Sequence, residues 1–141
     1  MSRAIFVPRV RCGRCAKTDA VLPAFVLCGR LDAVGTMGAV VEEVVAGVGG
    51  VRPAAERVGV PHTTARGWLR RLAGGATGWS VAFAALAVEL GGVVVAAAGD
   101  ATGHALVAIG AAFGAACSLA GWGELGRWRF VSAVSGGRLL A

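Results

Sequence analysis

Val51–Leu72, VRPAAERVGVPHTTARGWLRRL, decides how this chain is read. Small Ala54 and Ala55 come first, then Val58, Gly59 and Val60, then Pro61 opening a second helix that carries Ala65, Trp68 and Leu69. Two helices that meet at a steep angle need small residues where their backbones approach. They also need a residue that accepts positive φ at the corner, and Gly59 supplies it. The spacing predicts helices at about Pro53–Arg57 and Pro61–Ala73, the pattern of a helix-turn-helix. Around the seam Ala65–Trp68–Leu69, the second helix turns His62, Thr63, Thr64, Arg66, Arg70 and Arg71 outward. A polar, cationic helix face of this kind suits the major groove of double-stranded DNA.

Charge points the same way. The 141 residues carry a net charge of +6. Residues 1–79 hold eleven Lys and Arg against five Asp and Glu, whereas residues 80–141 hold three against three. The whole positive excess therefore lies in the half that carries the motif, where a phosphate backbone would attract it by counterion release. Thirteen of the fourteen cations are Arg, the better partner for bidentate phosphate and guanine contacts, although a high-GC codon bias explains the same choice. Within the motif, Arg66 with Thr63 and Thr64 is assigned to base edges, Arg52, Arg70 and Arg71 to phosphates, and His62 to either. Trp68 reads as core.

The N-terminal lead contains two short β-like runs, IFVPRVRC and AVLPAFVL, around a Cys12-Gly13-Arg14-Cys15 knuckle. Two thiolates at this spacing are half of a tetrahedral zinc site, and a closed structural site needs four ligands. Cys28, His62 and His104 are the right residue types but lack ligand spacing, so no cofactor is expected and zinc is the one candidate. Cys117 reads as a small core residue. The N-terminus lacks an apolar run long enough for a secretory signal, which places the chain in the cytoplasm with its cysteines reduced.

Residues 31–48 predict a helix with Asp32 as N-cap and Val34, Met37, Val41, Val44 and Val45 on its apolar stripe, ending at Gly49-Gly50. With the two motif helices it makes a three-helix domain over 31–73. The Gly74-Gly75-Ala76-Thr77-Gly78 run predicts a hinge. Beyond it, residues 79–141 form an apolar helical region with two runs split at Gly99–Gly103. In the second run, Leu106, Ile109, Phe113 and Ala116 or Cys117 mark a stripe. WRFVSAVSGGRLLA predicts a short amphipathic helix ending at Gly136-Gly137.

The apolar runs also fit a two-helix transmembrane hairpin. Each is about long enough to span, Arg70/Arg71 and Arg127/Arg129 flank them, and Gly110-x-x-x-Gly114 matches a helix-packing motif. Against this, Glu89 sits mid-run at a cost of ~2–3 kcal/mol, and Ala-rich helices of a soluble protein look alike. Catalysis finds no support: the eight acids are scattered and no nucleophile–base arrangement or phosphate loop is present.

The order RVRCGRC…VLPAFVL…RLDAVG…AAERVGVPHTTARGWLRRL…WRFVSAVSGGRLL resembles actinobacterial zinc-ribbon/helix-turn-helix proteins of the transposase-like, insertion-sequence-associated kind. The resemblance implies that Cys12 and Cys15 match the second Cys pair of a ribbon whose first pair would precede this chain. It also implies a soluble helical tail. The expectation is a mainly α protein: a partial ribbon-like lead at 1–30, a helix-turn-helix domain at 31–73 and a C-terminal helical hairpin within 79–141. Its function would be sequence-dependent DNA binding, without enzymatic activity, as a mobile-element accessory or remnant, with a homodimer formed through the C-terminal helices. The alternatives are a transcriptional regulator with a dimerising tail and a membrane protein with a basic cytoplasmic domain.

Overall fold

Two short strands and six helices follow one another among the described residues of the computed structural model, which are 4–26, 32–94, 99–119 and 121–140. Cys28, Leu31 and residues 95–98, all used in the sequence reading, lie outside them. The strands β1 (Arg9–Arg11) and β2 (Thr18–Ala20) pair antiparallel, with Val10 opposite Asp19, and every residue of both is exposed. The protein is otherwise mainly helical.

Helix α1 spans Val34–Val45 and buries Val34, Met37, Gly38, Val40 and Val41. Asp32 is not its N-cap. The helix starts after Ala33, without a side-chain cap, and the Val34 N–H donates to the Phe25 carbonyl at 2.9 Å. A tertiary hydrogen bond thus satisfies one of the donors that a cap would have taken. The helix also stops early, because Gly47 adopts φ +70° before Gly49 is reached. Helix α2 covers Val51–Arg57, starting two residues before Pro53, which is tolerated in a first turn where no amide partner is needed. Gly59 has φ +73°, as the corner requires, and the Val60 N–H reaches back to the Ala55 carbonyl at 3.0 Å.

Helix α3 runs unbroken from His62 to Glu89. The hinge expected at Gly74–Gly78 does not exist, and the boundary drawn between 73 and 79 falls inside one rod. Glycine inside a helix costs about 1 kcal/mol relative to Ala. Against that cost, Ala65, Trp68, Leu72, Ala76, Phe83 and Ala87 lie along one continuous buried face. Breaking the helix would take half of that face out of the core. It ends where Gly91 turns to φ +79°, with the Gly92 N–H bonded to the Ala87 carbonyl at 2.8 Å and the Gly91 N–H to Val88 at 2.9 Å.

Helix α4 (Ala101–Ala116) begins at a true cap, the Asp100 carboxylate accepting from the Gly103 N–H at 2.8 Å. Its buried face is Ala105, Ala108, Ile109, Ala112 and Ala116. Leu106 and Phe113, expected on the inner stripe, are half-buried at its border. Alanine lets two backbones approach closely, and α3 with α4 is the most extensive helix pair in the molecule. A hairpin turn would set the end of α3 against the start of α4. Instead Gly92 abuts Ala115 and Ala111 in the last turns of α4, so the pair is not the simple hairpin that was expected.

Helices α5 (Trp122–Leu125) and α6 (Arg127–Val134) close the fold, and Gly136 and Gly137, both at positive φ, end α6. Phe130 stacks obliquely on Phe113 at 5.7 Å and edge-on to Trp122 at 5.3 Å. The Trp128 ring occupies the space that a side chain at Gly38 would need. Glu42 of α1 accepts from both Arg127 (2.8 Å) and Trp128 Nε1 (3.0 Å). One hydrophobic core therefore runs from Val34 to Leu140, joining α1 and α2 to the C-terminal helices.

Candidate nucleic-acid interface

The residues assigned to DNA are carried by α2 and by the first three turns of α3. Arg52 is exposed on α2. On α3, Thr63, Arg66, Arg70 and Arg71 are exposed, while His62 and Thr64 are half-buried at the helix start. Thr63, Arg66 and Arg70 follow at spacings of three and four, which puts them on one face, with Arg71 on its flank. The opposite face holds Trp68 at 2% exposure and Ala65 and Leu72 fully buried. Trp68 is therefore core. Burial of that face fixes the rotation of the helix, and rotation fixes which side chains point outward.

The electrostatics sort the arginines. Among the described residues, Arg57 pairs with Glu43 and Arg127 with Glu42. Arg52, Arg66, Arg70 and Arg71 have no such partner among them. Arg57 and Arg127 thus hold helices together, whereas these four on α2 and α3 carry no ion pair among the described residues. The Arg71 guanidinium folds back over Gly67, where a Cβ would lie 3.0 Å from it. The roles of Arg57 and Arg127 were not legible in the sequence, since each partner is supplied by α1 from a distance along the chain.

The Cys12–Cys15 knuckle forms the turn between β1 and β2. Its backbone closes through Cys12 N–H to Lys17 O at 2.8 Å and Ala16 N–H to Cys12 O at 2.9 Å, with Ala16 at φ +57°. The backbone N–H of Cys15, then that of Arg14, then the Cys15 side chain donate toward the Cys12 sulfur and hold its pKa below the ordinary thiol value. Both cysteines are exposed. Among the described residues no group of three or more His, Cys, Asp or Glu side chains could hold a metal, so His62 and His104 do not complete the site. Cys117, read as core, is exposed instead. It sits just past the last turn of α4, beside Gly123, and Ala116 takes the inward position.

By length and composition, α3 is the one described helix long and apolar enough to cross a bilayer, and 22% of its most apolar window is buried. Helix α4, at 16 residues, is shorter than the roughly 20 that a span needs. No protein-family profile, curated protein or solved structure matches this chain.

Proposed function

We propose that the chain binds double-stranded DNA in a sequence-dependent way, with α1, α2 and the start of α3 acting as a helix-turn-helix. The observation that carries this reading is the uncompensated cationic face of α3, directly after the Gly59 corner and directly opposite the core. In this reading the His62–Ala73 part of α3 enters the major groove. Arg66, Thr63 and Thr64 read base edges, Arg52, Arg70 and Arg71 hold phosphates, and His62 contacts either. The reading is non-enzymatic and cytoplasmic. A mobile-element accessory or remnant is the context that the sequence resemblance supports, and a second copy of the chain, held through the C-terminal helices, is the expected partner. One recognition helix touches few base pairs, so two copies would be needed for useful specificity.

Selection of preferred sites from random duplexes, followed by titration at several salt concentrations, tests the assignment. Arg66→Ala is expected to relax preference at one or two positions. Arg70→Ala is expected to weaken binding to every sequence and to reduce the salt slope by about 1. If both variants bind as the parent does, or the parent binds no duplex, the reading fails.

A further inference from the structure

The exposed face of α3 changes character halfway along. Thr63, Arg66 and Arg70 give way, on the same side of the same helix, to Gly74, Gly78, Val81, Ala85 and Val88, all exposed. These five follow at intervals of four, three, four and three, the spacing of a helix-pairing seam. Val81 is 67% exposed and Val88 64%. Gly75 has an internal reason, since the Trp79 ring fills the space beside it. Gly74 and Gly78 have none: a side chain at either would stand in open space. Among the described residues nothing needs glycine there.

We propose that this seam is where a second copy of the chain docks, with the two α3 helices antiparallel about a two-fold axis near Val81. In that register the Gly74 of one copy faces the Val88 of the other, Gly78 faces Ala85, and Val81 meets its own counterpart. Each glycine becomes the recess for a larger side chain, and the surface is complementary to itself. The charges agree. Exposed Glu89, which has no ion pair among the described residues, comes opposite position 74 of the second copy, within reach of its Arg70 and Arg71. A parallel pairing would set Arg66 and Arg70 against their own copies. Antiparallel overlap ends near residue 74: Arg70 and Arg71 meet the Glu89 of the second copy at its edge, and the turn carrying Thr63 and Arg66 stays uncovered in both copies. A lipid surface is the poorer occupant, because the other side of α3 is already the protein core and the seam is bracketed by Arg70, Arg71 and Glu89.

This inference specifies the face and direction of the expected homodimer and does not depend on DNA binding, so its test is run without DNA. Sedimentation of the full chain in aqueous buffer should give a dimer at micromolar concentration. Val81→Glu, which places two like charges on the axis, should give a monomer with unchanged helical circular dichroism, because Val81 is 67% exposed and lies outside the core cluster. Val107→Glu, at an exposed position on α4, should leave the dimer intact. Glu89→Arg should weaken the dimer, and Arg71→Glu added to it should restore it. A monomeric parent, a dimer indifferent to Val81→Glu, charge reversals that fail to compensate, or a chain recovered from membranes only with detergent would each overturn the proposal. Loss of DNA binding alone would leave it standing.

Discussion

Gly38 shows how one absent side chain can lock two ends of a chain together. Trp128 of α6 lies flat where a Cβ at position 38 would project, and its Nε1 reaches Glu42 one turn further on. Gly38→Ala must displace the indole and is expected to cost about 1–3 kcal/mol, as overpacking does, read from chemical denaturation. An unchanged midpoint would show that the ring moves aside freely. Cys12 offers a second measurement at this scale. Three hydrogen bonds, led by the Cys15 N–H, favour its thiolate. Cys12 should therefore react with iodoacetamide at a lower pH than an ordinary exposed thiol, as followed by mass spectrometry across a pH series. Reaction only as pH approaches the usual thiol range would show that these bonds do not form in solution.

Among the elements, α3 and α4 respond to local chemistry in opposite ways. Asp100 is a cap with a made hydrogen bond, so Asp100→Ala should destabilise the fold by about 1 kcal/mol. In the Val81→Glu background, where only the monomer matters, Gly74→Ala and Gly78→Ala should each raise stability by up to about 1 kcal/mol. Gly75→Ala should gain less, because its Cβ would press on Trp79 at 2.9 Å. Equal gains at all three would mean that the Trp79 ring yields without cost. The same glycines explain what the sequence could and could not tell. Gly59 was legible because a single residue at positive φ decides that corner, and the exposed Arg66 and Arg70 followed from the period of the helix that it introduces. The run Gly74–Gly78 carries the same local signal, yet packing along Leu72, Ala76 and Phe83 overrides it. Asp32 has the residue type of a cap, but the donor is taken by the Phe25 carbonyl, brought alongside by the bridge between Val26 and Ala33. On α4 the large Leu106 and Phe113 mark the apolar stripe in the sequence, while the small Ala105, Ala108, Ala112 and Ala116 form most of the buried face. Local signals predict wherever nothing distant competes for the same groups.

At the level of the whole molecule, the core passes through α1, α3, α4 and α6 without a gap. The three helices at 31–73 share that core with the rest of the chain: Trp128 of α6 covers Gly38 of α1, and the Glu42 carboxylate ties α1 to α6. The full chain should unfold in one cooperative transition by calorimetry, and a fragment ending at residue 78 should show neither a cooperative melt nor the parent's helical signal per residue. A fragment that melts cooperatively would restore an independent domain.

The continuity of α3 has a consequence for the solution conditions in which such a protein would act. One rigid rod carries a guanidinium-rich end and an aliphatic end on the same side. Sulfate screens the first, loosening any grip on a polyanion, and is excluded from the second, tightening contact between aliphatic surfaces. If both proposals hold, concentrated salt should release nucleic acid from a protein that stays paired, whereas dilute buffer should favour the loaded state and reveal whatever monomer exists.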